Sequence, residues 1–458
     1  MSTTASAHPG EHLLALRAAL HGELFLPGDE GWDDTRRSWQ VLVDQRPVAV
    51  VVAADVDDVV ATIGHARRFG LRVAPQATGH NALAVGGLDD TILLRTSLLT
   101  DVTVDPGARV IRVGAGVSAR AAATAAAEHG LAVIAGFSPT VGIVGFSLGG
   151  GLGWLSRSHG LAANGVVAIE AVDAEGRVVR LDAGDDSGLF WAARGGSAPV
   201  VVTAAELRLH PLAELVAGGL MWPLERLPEV AAAWREWIAT VPDGVGSLVR
   251  AMRFPPLPMI PEPLRGRAFA AIEVAIQDDP DAAAALLAPL RAIGPVMDSV
   301  RPMPPTELGT VHGDPEEPAP ARGHSITIAA LDEASVDAFV AASLAPSADA
   351  LLSIEVRHLG GALRAAREGG AVSTVDAEGV MFAVGFVPAP EALEQVRAAA
   401  SGIAEALRPY AAPFAVKNFV EEQTAASAFY PAETIERLRA VVAAADPEGR
   451  IRVSQPVG

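Results

Sequence analysis

Pro75-Gln76-Ala77-Thr78-Gly79-His80-Asn81 is the stretch on which the fold turns. It carries no charged side chain, follows the apolar residues 71–74, and sets a histidine directly after a glycine. Small residues such as Ala77, Thr78 and Gly79 let backbone N–H groups come close to an anion of the pyrophosphate kind. The same residues also suit an ordinary strand-to-turn junction with a hydrogen-bonded imidazole, and the loop alone does not separate the two readings.

Working outward, residues 47–53 read as a buried strand, and Asp55 offers a capping side chain to a helix whose Val59, Val60, Ile63 and Ala66 share one face. Gly70 stops that helix, and residues 71–74 form a second strand that delivers the chain into the loop. Further strands are expected at 91–95 and 109–113, with Asp105-Pro106-Gly107 as the turn between them, an order that suits an α/β domain. Ser118 caps an alanine-rich helix that runs to His129 before Gly130, and residues 131–134 are again extended. The densest glycine stretch follows, from Gly136 to Gly153. Glycines this close together cost much chain entropy, so the backbone there either lies against something flat or anionic or makes a bend between strands. A hairpin of residues 166–172 and 177–181 and a strand at 200–209 complete one self-consistent unit.

Beyond Pro211 the pattern changes. Strands are expected at 215–222, 246–253, 268–277, 350–358 and 379–387, and helices at 280–292, 332–343 and 389–406, an interleaving that points to an antiparallel sheet. Residues 301–323, rich in proline, glycine and acidic side chains, read as a surface loop or lid. The tail carries a helix over 432–445 and the closing segment 450–456.

At 458 residues the chain is too long for one core, and with half its residues hydrophobic it has ample material for two or three. The formal charge of −19 argues against nucleic acid or an anionic membrane surface as a partner, which leaves a small molecule. The absence of cysteine excludes disulfides, thiolate catalysis, Cys-ligated zinc and iron–sulfur clusters, and no metal site is expected. Residues 1–10 lack the basic and apolar regions of a secretory leader, and no stretch has the length of a membrane span, so a cytoplasmic protein is expected.

With these pieces in order the chain resembles the vanillyl-alcohol-oxidase type of FAD-binding oxidoreductases, and within it the berberine-bridge-enzyme-like group. Gly79-His80-Asn81 stands where that family has a Gly-His-Ser loop. Val104-Asp105-Pro106, Val113-Gly114-Ala115-Gly116, Ser138-Pro139-Thr140-Val141-Gly142, Gly149-Gly150-Gly151, Gly160-Leu161-Ala162, residues 190–196, 207–211 and 429–431, and Asn418-Phe419 resemble its further segments. The resemblance implies an α+β fold with a two-part FAD-binding domain at 44–212, after an N-terminal helical segment at 1–43. It also implies an α+β substrate domain with an antiparallel sheet at 213–414 and a C-terminal element at 415–458 that packs back on the FAD domain. It further implies FAD bound covalently through His80. The remaining cofactor contacts would come from Ala77, Thr78, Gly79, Asn81, Ser138, Pro139, Thr140, Val141, Gly142, Gly145, Gly149, Gly150, Gly151, Gly153, Val202, Asn418 and Gln455.

Departures from the family pattern narrow the chemistry. The position of the family's second attachment, a cysteine, is Ser138, so only one covalent bond to the flavin is possible. The family tyrosine that serves as base is Val416 here, and the following aromatic hydroxyl position is Phe419. The 197–199 turn is one residue shorter than the family's. Val141 stands at the position resembling the oxygen gate, where a small side chain goes with oxidases. For the base the candidates are Glu355, His358 and Tyr430, with Glu355 and Arg357 on one face of a strand and Val356 and His358 on the other. Lys417, the one lysine, reads as a solvated surface side chain, with a positive charge near a flavin as the alternative.

The expected activity is therefore an FAD-dependent oxidase that acts on a small organic metabolite, an alcohol, sugar or secondary-metabolite intermediate, with dioxygen as acceptor. A flavin-binding cyclase or dehydrogenase on the same scaffold is the alternative. A nicotinamide-linked dehydrogenase fits poorly, because no Gly-x-Gly-x-x-Gly opens a helix after the first strand.

Overall fold

The computed structural model describes residues 11–258, 260–365 and 369–457; the expectation made for residues 1–10 lies outside them. The fold is mixed α and β, with a large antiparallel sheet. Ala49–Val52 and Thr91–Arg95 bury side chains on both faces and pair in parallel, and Arg72–Gln76 joins Thr91–Arg95 in the same sense. The N-terminal strand Glu23–Phe25 closes the far edge in antiparallel pairing. The helix Val56–Phe69 crosses between these strands. Its cap is Asp55, whose carboxylate accepts from the amide of Asp58, and Gly70 ends it in a left-handed conformation at φ 68°. Val59, Ile63 and Ala66 lie in one core with Val172, Ala174 and Val201 of the next sheet, which fixes the two sheets against each other.

That second sheet runs Val102–Asp105, Val110–Gly114, Val200–Arg208, Val166–Asp173, Val178–Asp182, antiparallel throughout. The C-terminal helix Ala432–Ala445 rests against Leu189–Ala193 beside it. The tail then covers the free edge of Arg72–Gln76: the Val73 amide donates to the Arg450 carbonyl at 2.8 Å, and the Arg452 amide to the Val73 carbonyl at 2.9 Å. The strand that delivers the opening loop is thus held on both sides.

The eight-stranded sheet follows the order 297–298, 215–223, 268–276, 245–253, 353–358, 379–386, 321–328, with Arg301–Met303 on the outer side of Leu215–Pro223. One face buries Trp222, Val249, Ile272, Ile354 and Met381 under the helices Leu227–Ile238, Pro280–Arg291, Glu333–Leu344 and Ala392–Leu407. The opposite face carries Arg250, Glu273, Glu355 and Arg357, which the cross-strand register sets side by side: Arg250 is opposite Glu355, and Leu248 is opposite both Glu273 and Arg357.

Two elements differ from expectation. The helix Leu227–Ile238 has no Ser, Thr, Asp or Asn cap to announce it; Arg226 precedes it and Pro228 occupies its first turn. Residues 301–323 are only partly a surface loop. They hold the strand Arg301–Met303 and the single turn Leu308–Val311, drive His312 into the interior, and enter the strand Ala321–Ile328. There its imidazole stands between two buried glutamates, Glu273 and Glu355.

Candidate active site

The opening loop leaves Arg72–Gln76 and turns at Gly79, which has φ 81°. A Cβ there would come within 2.6 Å of Ser38 Cβ and 2.9 Å of Gln76 Nε2, so space and conformation both require glycine. The amides of Trp39 and Gln40 donate to the carbonyls of Thr78 and Gly79. His80 is stacked on Trp39 with ring centroids 4.2 Å apart. Its Nδ1 is 2.8 Å from Thr78 Oγ1 and its Nε2 3.3 Å from Thr140 Oγ1, which in turn is 3.2 Å from Ser138 Oγ. Burial lowers the His80 pKa to about 4, so at neutral pH the ring is uncharged, with one nitrogen bearing hydrogen and the other a lone pair. Residues 77–80 and 138–142, far apart in sequence, form one surface; a Cβ on Gly142 would lie 3.6 Å from that of Ala77.

The glycine stretch folds into the short helix Ile143–Leu148 and a following bend. A side chain on Gly145 would meet nothing within 4 Å, which leaves bare backbone toward open space. Gly149 to Gly151 are clamped from the C-terminal element: Asn418 Oδ1 accepts from the Gly151 amide at 2.8 Å, and its Nδ2 donates to the Phe146 carbonyl at 3.1 Å. Gly153 has a different reason, since a Cβ there would sit 1.8 Å from the Ala135 carbonyl oxygen. Val202 lies at a bulge in its strand pairing, opposite Ala171. Gln455 spends its amide on the tail itself, accepting from the Thr424 amide and donating to the Glu422 carbonyl. Pro139 and Val141 donate no side-chain hydrogen bond, but their carbonyls accept from Arg120 and Ala119 and hold the stretch in place.

These residues fit an FAD. The loop is uncharged, and the buried Gln76 Nε2 beside Gly79 has no partner, as suits a donor kept for an anion. The imidazole is neutral and flanked by hydroxyls. Among the described residues, His21, Asp55 and Asp58 are one group spaced for a metal, but Asp58 is engaged by the amides of His21, Gly22 and Ala54, and Asp55 by His21.

Asn418→Ala removes both clamp bonds and leaves the Gly151 amide and Phe146 carbonyl unpaired. The expected cost is about 1–3 kcal/mol, together with a lower ratio of flavin to protein absorbance in the purified chain. An unchanged melting temperature and flavin content would show that the clamp is not used.

Across Phe137 from this surface lies the charged face of the large sheet. Arg357 stacks its guanidinium on Phe137 at 3.6 Å and faces Phe419 at 4.8 Å. It is also bonded to Glu355 Oε1. Arg250 Nη1 pairs with Glu273 Oε1, and His312 stands between the two carboxylates, 2.7 Å from Glu273 Oε2 and 3.2 Å from Glu355 Oε2. All five side chains are more than nine-tenths buried. His312 Nδ1 is also 3.2 Å from Arg250 Nη1. Burial and Arg250 both act to lower the His312 pKa, but Glu355, Glu273 and Asp314 outweigh them and raise it to about 9. Burial opposes ionisation of Glu355, yet Arg357, His312 and Arg250 hold it below the usual carboxylate range.

The raised imidazole carries a stability prediction. His312 favours the folded state fully below its unfolded value of 6.5, and that contribution is lost as pH rises through about 9. The stability difference between wild type and His312→Gln, from urea unfolding, is expected to shrink by on the order of 3 kcal/mol from acid to alkaline across that window. A difference that does not vary with pH would mean that His312 is neutral in the fold.

The three proposed bases do not converge. Glu355 belongs to the buried ionic cluster. His358 points to the helix-covered side, edge-on to Trp234, with Nε2 2.9 Å from Arg157 Nη1; burial and Arg157 lower it to about 3. Tyr430 is 2 % exposed and donates to the Gly195 carbonyl at 2.8 Å; burial raises its phenol to about 12. Lys417 corrects the surface reading: it is 5 % exposed, its Nζ reaches the Gly195 carbonyl and Tyr430 Oη, and burial lowers it to about 7. Packing of distant segments brings Gly195 and Tyr430 to it, which no local sequence signal announces. Arg250, Glu273 and His312 were missed for the same reason, since each reads singly as an ordinary charged residue.

Residues 47–182 of the protein match the FAD binding domain family, and the fold is similar to that of berberine-bridge-enzyme-like structures. Among curated proteins it is 31 % identical over 211 residues to (R)-6-hydroxynicotine oxidase of Paenarthrobacter nicotinovorans, which covers 46 % of each chain. It is also 31 % identical over 234 residues to the uncharacterized FAD-linked oxidoreductase YvdP of Bacillus subtilis, covering 50 % of this chain and 52 % of that one. The chain thus spans about half the length of these relatives. In structure it is similar to 6-hydroxy-D-nicotine oxidase from Arthrobacter nicotinovorans, with TM-score 0.80 and 26 % identity over 94 % of this chain and 97 % of that one. The fold also matches a berberine-bridge-enzyme-like protein of Physcomitrella patens with TM-score 0.84 at 19 % identity, covering 97 % and 99 %.

Proposed function

We propose that this protein is an FAD-dependent oxidase that removes a hydride from a small organic metabolite, uses dioxygen as acceptor and releases hydrogen peroxide. A single covalent bond through His80 would hold its flavin. The observation that carries the reading is the neutral His80 ring, pinned by Thr78 and Thr140 and separated from a buried charged wall by one aromatic residue, Phe137. When bound, the flavin supplies the electron acceptance. Thr78, Gly79 and the bare backbone near Gly145 bind it, and Asn418 keeps the glycine bend in shape. Glu355 is the group that would take the substrate proton, through Oε2, which faces His312 Nε2 at 3.2 Å. Because Glu355 stays ionised in the cluster, the acid limb of kcat/KM is expected to lie below the ordinary carboxylate range. An acid limb at or above pH 6 would transfer the role to another group.

A panel of amines, alcohols, sugars and hydroxylated aromatics assayed for peroxide tests the oxidase reading. Photoreduced enzyme that stays reduced in air would favour the alternative, a dehydrogenase or cyclase on the same scaffold. That alternative draws support from Val416, which is buried in an apolar cluster with Leu152 and Leu161 and offers no hydroxyl.

A further inference from the structure

Residues 38–40 are bonded both to the opening loop and to the segment that enters the large sheet. On one side the Trp39 amide donates to the Thr78 carbonyl at 2.9 Å and the Gln40 amide to the Gly79 carbonyl at 3.4 Å. On the other, Trp39 Nε1 donates to the Glu316 carbonyl at 3.2 Å, Gln40 Nε2 donates to the Ala321 carbonyl at 2.8 Å, and Gln40 forms a parallel bridge with Ala319. The segment is therefore placed by its backbone and by Gln40. What the Trp39 side chain adds is a flat face: its indole lies 4.2 Å from the His80 ring and 13° from parallel to it. The partners of the His80 nitrogens, Thr78 Oγ1 and Thr140 Oγ1, are hydroxyls on rotatable side chains that can follow the ring when it tilts. An indole held by Glu316 through its own nitrogen resists that tilt, so it sets the plane of the imidazole.

We propose that Trp39 is the positioning residue for covalent attachment of the flavin, acting through His80 by fixing the plane in which the imidazole meets the C8 methyl group. The inference rests on His80 being the attachment residue. The bond exchanges a C–H of that methyl group and the imidazole N–H for one C–N bond, and both hydrogens pass, as two protons and an electron pair, to dioxygen as hydrogen peroxide. A nitrogen lone pair has to point along the forming bond, and a misplacement of about 1 Å costs on the order of 10²-fold in rate. Non-covalent binding makes no such demand on the ring, because the bonds from residues 39 and 40 that hold Thr78 and Gly79 are made by main-chain amides and survive loss of the indole.

The time course of acid-stable flavin tests it, followed after saturating FAD is added to the full-length chain produced in riboflavin-starved cells. Trp39→Leu is expected to attach flavin on the order of 10²-fold more slowly than wild type. Trp39→Phe, which keeps a flat face but not the Glu316 bond, is expected to stay within about tenfold of wild type. In the His80→Ala background, where only non-covalent binding remains, Trp39→Leu is expected to change the FAD dissociation constant by less than about threefold. A Trp39→Leu chain that attaches flavin at the wild-type rate overturns the proposal, as does equal slowing in the Phe and Leu variants. Loss of FAD binding from the His80→Ala chain on adding Trp39→Leu overturns it too, because Trp39 would then shape the cradle rather than aim the ring. A wild type that forms no acid-stable flavin defeats the attachment reading and this role with it, a failure told apart from the others because it shows in the unmutated chain.

Discussion

Denatured in acid, the wild-type chain is expected to keep its yellow chromophore, and the His80→Ala chain to lose it into the supernatant. His80 is the single attachment available, because Ser138 stands at the family's second attachment position and the chain has no cysteine. Its geometry suits the bond: the ring is buried, uncharged, stacked on Trp39 and held in plane by Thr78 and Thr140. A protonated imidazole has no lone pair to form a bond, and burial is what keeps this one unprotonated at neutral pH. The variant retains Thr78, Gly79, Asn418 and the bare backbone at Gly145, so before denaturation it is expected to hold flavin without a covalent link. Flavin released freely from the wild type would reject the attachment.

Glu355→Gln carries the second large effect, on turnover and on stability together. Loss of a proton acceptor costs roughly 10²–10⁴-fold in kcat. The same change leaves Arg357, Arg250 and His312 facing one carboxylate fewer inside the fold, where an uncompensated charge costs about 3–5 kcal/mol. The two effects are separable. Turnover measured per bound flavin, well below the melting temperature, reports the chemical role, and urea unfolding reports the charge balance. A variant that is destabilised but turns over at the wild-type rate per flavin would confine Glu355 to a structural role.

Of the cofactor side, much was legible in the chain. Asp55 and Ser118 cap the helices they were expected to cap, Gly70 ends its helix in a left-handed conformation, and Thr91–Arg95 is the strand expected. Such features are local, because a capping oxygen reaches only the next turn and a glycine's conformation belongs to that residue. The loop at 75–81 was visible for the same reason. Gly153 shows the limit of that reasoning: it looks like its glycine neighbours, but it is small because the Ala135 carbonyl passes beside it.

The buried ionic cluster was not legible, because its meaning lies in pairing. Arg250, Glu273 and Glu355 come from three strands, and their neighbourhood depends on a register that the chain does not display. His312 belongs to a stretch whose composition indicates surface, yet it lies inside, where Glu273 and Glu355 hold its imidazole. Lys417 likewise changes from a solvated charge to a buried hydrogen-bond donor once Gly195 and Tyr430 are placed beside it. The cofactor cradle could be recognised from residues in order, since backbone conformation is set by near neighbours. The charge balance of the buried ionic cluster exists only after strands and loop have been packed together, since Coulomb energy depends on distance in space and on exclusion of water.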